Sequence, residues 1–389
     1  MVQLSPPPVT ERILVVRNRF IGDTVLAIPF LRNLRRRFPE AAVDVLVEPA
    51  ARDVLADCPY IDEIITWKRP HRGFFKLPWM IKSTLALAAK LRGRGYTRAY
   101  VLKRSLAGSL LVWCAGIPAR IGFASKRWAS LLTRTVPLRR DRHEAELFLD
   151  LLRSDGIEVD DGRNENWTSP AAVAKVEKLL AGLGRGRKRV FVAPRSTDPH
   201  RQWPVDRTAC ILRWLVEQHG CEIFFCGAPD DSMLHAEIRG RLGAAADAHV
   251  RDHSLDLSLR EAVALISRMD LCLGVDTGLP HIAASFGVPT AVLYGPTDPT
   301  KWHPWKTRSA IVQSPSGVID DISVGQVAEA IGGLLEALPA AKPAVAAAGR
   351  TIRTLRTLDL RKGGFRYEVL ESKQSAAAEP DTKPLAQAH

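Results

Sequence analysis

Three stretches of this sequence set carboxylate, hydroxyl, guanidinium and imidazole groups beside glycine, where a strand gives way to a helix. The first is RNRFIGDTVLAIPFLRNLRRRFP (17–39), with Gly22-Asp23 at the turn. Glycine there permits a tight bend and close approach of a substrate. Asp23 has two readings: a helix cap, or a catalytic carboxylate. The second stretch is VAPRSTDPHRQWP (192–204), where Ser196 and Thr197 lie near Arg195 and Arg201. Hydroxyls with arginine suit phosphate oxygens, although a solvated basic loop would look the same. The third is GVDTGLPHIAASFGVPTAVLYGPTDPTKWHPW (274–305). Its Asp276-Thr277-Gly278 precedes a predicted helix whose free N–H groups could hold a diphosphate, and His281 lies one turn further in.

The elements that must position these groups alternate along the chain. Apolar runs at 13–17, 43–47, 61–67 and 99–102 read as strands, and 23–38, 78–92 and 144–152 as helices. The stretch 106–119 reads as a buried helix and a turn. A polar, turn-rich segment, GIEVDDGRNENWTSP (156–170), then separates a second alternating series that starts at 190. Strands alternating with helices imply βαβ units and doubly wound parallel sheets. The expected division is a domain over 1–160, a second over 161–337, and an Ala/Pro-rich tether and partly disordered tail over 338–389. Each chemical segment falls at the carboxyl end of a predicted strand, where open α/β sheets bind ligands.

Composition narrows the classes. With 55 basic and 42 acidic residues the net charge is +13, which suggests a polyanionic partner: nucleic acid, anionic membrane or phosphorylated substrate. No run approaches the roughly 18 apolar residues of a membrane span, and the N-terminus does not read as a signal peptide. The six cysteines are scattered without C-x-x-C, as expected of free thiols in a reducing cytoplasm. There is no P-loop; GLGRG (182–186) follows a helix rather than a strand, and HEAEL (143–147) lacks a second histidine. The absence of Asp-x-Asp argues against a metal-bound sugar nucleotide.

The G-D turn, the S-T-x-x-x-[KR]-x-W-P segment and the V-D-T-G-x-x-H…G-P-T-D-P block, in that order, resemble glycosyltransferase family 9, the ADP-heptose:lipopolysaccharide heptosyltransferases. The likeness covers residues 12 to about 335 and extends to LKRSLAGSLLVWCAGIPARIGF (102–123) and His143-Glu144. It implies a GT-B fold, two Rossmann-like domains facing a central cleft. It further implies inverting transfer of heptose from ADP-L-glycero-D-manno-heptose to the Kdo/heptose–lipid A inner core, with no cofactor and no metal. Asp23 would be the base; Ser196, Thr197, Arg201, Gly227, Asp276, Thr277, Gly278 and His281 would hold the nucleotide sugar. Arg201 replaces the Lys of many members. Pro229 stands near where some members place a nucleotide-contacting Glu, which leaves the ribose and adenine contacts open.

Residues 67–82 (WKRPHRGFFKLPWMIK) interleave basic and large aromatic side chains. Lys68, Arg69, Arg72 and Lys76, with Gly22, are the expected acceptor and membrane contacts, with Trp67, Phe74, Phe75 and Trp79 as anchors. An amphipathic helix packed on the N-terminal domain is the alternative. The expected location is cytoplasmic, peripheral on the inner face of the inner membrane, with no nucleic-acid partner. Two rivals stay open: a same-family transferase with another acceptor, such as a later core sugar or a protein, and a non-catalytic RNA- or membrane-binding protein on a degenerate GT-B fold.

Overall fold

The computed structural model describes residues 11–17, 20–67, 77–183, 186–338, 354–359 and 364–368. The first half runs β1 (Arg12–Val16), α1 (Ile21–Val25), α2 (Ile28–Arg37), β2 (Ala42–Val47), α3 (Pro49–Arg52) and β3 (Glu63–Thr66). It continues through α4 (Leu77–Arg92), β4 (Arg98–Val101), α5 (Leu106–Cys114), β5 (Ala119–Phe123), β6 (Arg134–Val136) and α6 (Glu144–Ser154). The second half runs α7 (Pro170–Leu180), β7 (Arg189–Ala193), α8 (Val205–His219), β8 (Glu222–Phe225), α9 (Ser232–Gly240), α10 (Ala244–Asp247) and β9 (Val250–Asp252). After these come α11 (Leu259–Ser267), β10 (Leu271–Val275), α12 (Gly278–Ser285), β11 (Thr290–Tyr294), α13 (Pro299–Trp302), β12 (Ser309–Gln313) and α14 (Val324–Glu336).

The strands form two sheets, ordered β14-β13-β3-β2-β1-β4-β5-β6 and β12-β11-β10-β7-β8-β9. Here β13 is Thr354–Asp359 and β14 is Gly364–Glu368. Leaving out β13 and β14, each sheet has the 3-2-1-4-5-6 order of a Rossmann domain, with all of its pairs parallel. In such a sheet the order reverses between the first and fourth strands, and the crevice there takes the ligand. The reversals fall between β1 and β4 and between β7 and β10. All three chemical segments follow one of these strands.

Local sequence explains several element ends. The helix expected over 23–38 is two helices, because Pro29, at the start of α2, has no N–H to give the preceding turn. Gly220, at φ 59°, ends α8 in a left-handed turn. Ser169 and Ser323 cap α7 and α14 through their side chains. The polar stretch between the halves is fastened to α2: Asn33 donates to the Asp161 carbonyl at 2.7 Å and Arg32 pairs with Asp161 at 3.0 Å.

Three expectations change. Part of 338–389, read as tether and tail, returns to the first sheet: β13 runs parallel to β3 and β14 folds back antiparallel on β13. The helix in 106–119 is buried on one side only; Leu106 and Trp113 are exposed. Trp67, expected as a membrane anchor, is fully buried in the core beneath α4 and α5. Lys68, Arg69, Arg72 and Lys76, with Phe74 and Phe75, lie outside the described residues.

Candidate active site

The turn after β1 holds a buried ionic cluster. Asp23 is the third residue of α1 and is buried. Phe20, not Asp23, occupies the N-cap position, and no side chain caps this helix. The Asp23 carboxylate instead pairs with Arg17 Nη2, and Arg17 Nε lies 3.4 Å from the Asp23 carbonyl oxygen. Arg17 is itself buried, with its guanidinium 5.0 Å from the centre of the Phe148 ring. On its other side, Nη2 is 3.7 Å from a carboxylate oxygen of Glu144, the first residue of α6. One cation thus serves two carboxylates.

Burial pushes the Glu144 carboxyl up to about 7; Arg17 opposes this and Asp23 adds to it. The sign follows from linkage: between about 4.5 and 7 the folded state keeps a proton that the unfolded chain has lost. Glu144 therefore withdraws stability as pH rises through that window, by up to about 3 kcal/mol. Glu144→Gln, always neutral, should gain stability relative to wild type between pH 5 and pH 8, read from urea midpoints. Equal shifts for both proteins would remove Glu144 as the titrating group.

The two halves meet at two glycines. A Cβ on Gly22 would come within 2.7 Å of His281 Cδ2, and one on Gly278 within 2.9 Å of Ile21 Cβ. Any larger residue at either position would push α1 and the start of α12 apart. Burial lowers the His281 pKa, while Asp276 and Asp23 act in the opposite direction. His281 Nδ1 and Arg17 Nη1 are buried and lack hydrogen-bond partners among the described residues. Such orphans are unusual in native interiors and mark places where a ligand oxygen could bind.

The second segment joins the third through Arg201. Its Nη1 lies 3.1 Å from Asp276 Oδ2, and its Nε 3.3 Å from Asp198 Oδ2. Ser196 Oγ accepts from the Asp198 N–H at 3.2 Å, and Thr277 Oγ1 lies 3.4 Å from the Val275 carbonyl oxygen. A cavity of about 540 Å³ is lined by Ser196 and Thr197 together with Arg195, Gln202, Trp203 and Asp320. None of Asp23, Asp276 and His281 lines it. The convergence at Gly22 is the candidate reaction centre, because it gathers ionisable groups from both halves. Gly227 lies against the Asp231 carboxylate, which accepts from Ala228 N–H and pairs with Arg195.

His143 closes the seam behind this centre. Its Nδ1 accepts from the Ala145 N–H at 3.2 Å and its Nε2 lies 2.9 Å from the His303 carbonyl oxygen. Those two bonds require the neutral ring protonated at Nε2, and burial holds its pKa down to about 3. Trp305 stacks on it at 4.3 Å.

The structure therefore unites Gly22, Asp23, Gly278 and His281 and links Arg201 with Asp276. It adds Arg17 and Glu144, which sequence reasoning had not assigned to the site. The available signal was an arginine at the end of the first strand, immediately before the glycine turn.

The family model for glycosyltransferase family 9 (heptosyltransferase) matches residues 84–327. Lipopolysaccharide heptosyltransferase 2 of Escherichia coli K12 is 25% identical over 324 residues, 79% of this chain and 89% of its own length. A glycosyl transferase family 9 structure from Veillonella parvula superposes with a TM-score of 0.73 at 21% identity, covering 84% of this chain and 97% of that one. The E. coli heptosyltransferase WaaC with ADP gives a TM-score of 0.67 at 18% identity, over 83% and 99% of the two chains. The fold shared with these structures is GT-B.

Proposed function

The chain belongs to glycosyltransferase family 9, and from that premise we propose that it moves a heptose from ADP-L-glycero-D-manno-heptose to the inner core of lipopolysaccharide, at the cytoplasmic face of the inner membrane. The observation that carries this reading is the meeting of the Gly22-Asp23 turn with the Gly278–His281 helix start, one from each sheet. A transferase needs its base and its leaving-group site on opposite walls of one cleft.

In this scheme the acceptor hydroxyl attacks the anomeric carbon of the heptose. Asp23 takes the hydroxyl proton, the bond from the anomeric carbon to the phosphate oxygen breaks, and ADP leaves with the electron pair. Attack opposite the leaving group inverts the anomeric configuration. Negative charge that grows on the diphosphate would be met by Arg201, the Thr197 hydroxyl and the N–H groups at Gly278. No metal ion is needed in this scheme, so excess EDTA should leave the rate unchanged.

Mass spectrometry of lipopolysaccharide core from a strain lacking the protein tests the acceptor. A core shortened at a heptose supports the reading, and an unaltered core would overturn it. For the donor, Arg201→Ala should weaken ADP binding about tenfold or more and slow transfer, since it removes a charge-assisted contact. Arg201→Lys should recover most of both. Unchanged ADP affinity in Arg201→Ala, measured by calorimetry, would place the loop away from the diphosphate.

A further inference from the structure

From Ile64 to Arg140 the sequence contains 17 lysines and arginines and not one aspartate or glutamate, although the whole chain holds 42 acidic residues. This stretch includes α4 and α5, which lie side by side on one face of the first sheet. Their inner positions fill the core: Leu87, Ala88 and Leu91 from α4, and Ala107, Leu111 and Val112 from α5. Their outer positions are not wholly polar, as a solvated helix face would be. Ile81 and Leu85, one turn apart on α4, and Leu106 and Trp113, two turns apart on α5, are between 43% and 51% exposed. No residue of α5 is charged.

We infer that the outer face of α4 and α5 is a docking surface for an anionic lipid bilayer. Charge complementarity selects this occupant. Lys82, Arg92, Arg104, Lys126 and Arg127 are exposed within the acid-free stretch, and basic groups around apolar side chains suit an anionic leaflet. Trp113 has the amphipathic ring favoured at the membrane interface. Among the described residues no helix is long and apolar enough to cross a membrane, so the contact is peripheral.

The patch also runs toward the reaction centre. Leu106 and Arg104 follow β4, and Phe20, 60% exposed, stands directly before α1 with Lys103 Nζ 6.0 Å from its ring centre. Those positions share the carboxyl-end rim of the sheet with Asp23. A bilayer against α4 and α5 would therefore present a lipid-borne sugar at the mouth of the cleft. The proposal rests on the lipid-borne acceptor inferred above.

The test is co-sedimentation of the full chain with vesicles of phosphatidylglycerol and phosphatidylethanolamine, and with phosphatidylcholine alone. The triple variant Ile81→Ser, Leu85→Ser, Trp113→Ser should lose about tenfold or more in affinity for the anionic vesicles. Wild type should bind phosphatidylcholine poorly. The variant's thermal midpoint, ADP binding and transfer to a delipidated soluble acceptor should match wild type. Equal binding of both proteins to anionic vesicles would overturn the assignment. So would a concentration-dependent dimer of wild type that the variant abolishes without any change in vesicle binding, since the face would then meet a second copy. Failure of transfer to the soluble acceptor by both proteins would count against the proposed reaction and not against the membrane face.

Discussion

Asp23→Asn should lower turnover by about 10²- to 10⁴-fold while leaving donor binding near its wild-type value. That is the range a positioned general base supplies, and Asn keeps the shape of the side chain inside the cluster with Arg17. Donor affinity should survive because the residues that face the diphosphate in the proposed scheme come from the second half of the chain. Single-turnover transfer and calorimetric ADP titration separate the two effects. Asp23→Ala should lose as much turnover and, in addition, some stability, because it opens a gap beside a buried guanidinium. If Asp23→Asn turns over within a fewfold of wild type, the carboxylate only balances the Arg17 charge and another group removes the proton.

How much of this site is legible in the sequence depends on the kind of feature. The strand-to-helix turns at Gly22, Ser196 and Asp276 follow from apolar runs broken by glycine and small polar residues, and the structure puts them at the two sheet reversals. The capping reading of Asp23 failed for a local reason. Pro29 divides the expected helix and Phe20 takes the cap position, so the Asp23 side chain turns to Arg17. Glu144 was invisible because its partner lies 127 positions earlier in the chain, and nothing in the composition of α6 sets it apart from Glu146. The tail strands were missed because β13 pairs with β3, about 290 residues away. Its polar sequence, TLRTLD, has no apolar run to announce a strand. Trp67 illustrates the opposite error: an aromatic next to a basic run looks like a surface anchor, yet it directly follows β3 and is buried in the core.

The stability of the same cluster yields the second large expected effect. Arg17→Met fits a long, flexible apolar side chain into the space beside Phe148 but removes the only cation paired with Asp23 among the described residues. An ion pair buried this deeply adds little net stability, because desolvation cancels most of the attraction. Removing one partner is different, since the other charge stays buried without compensation, at a cost of about 3–5 kcal/mol. Urea unfolding should record a loss of that size for Arg17→Met at pH 8, where both carboxylates depend on this cation. Adding Asp23→Asn and Glu144→Gln to Arg17→Met should restore more than half of it, although each of those changes removes a charged group of its own. The restoration distinguishes uncompensated charge from poor packing of Met, because a packing defect would persist in the triple variant. A loss below about 1 kcal/mol for Arg17→Met would mean that Asp23 takes up a proton or reaches solvent when its partner is gone. Arg17 would then be dispensable to the fold, and its place in the cluster would be explained by what it does to the base.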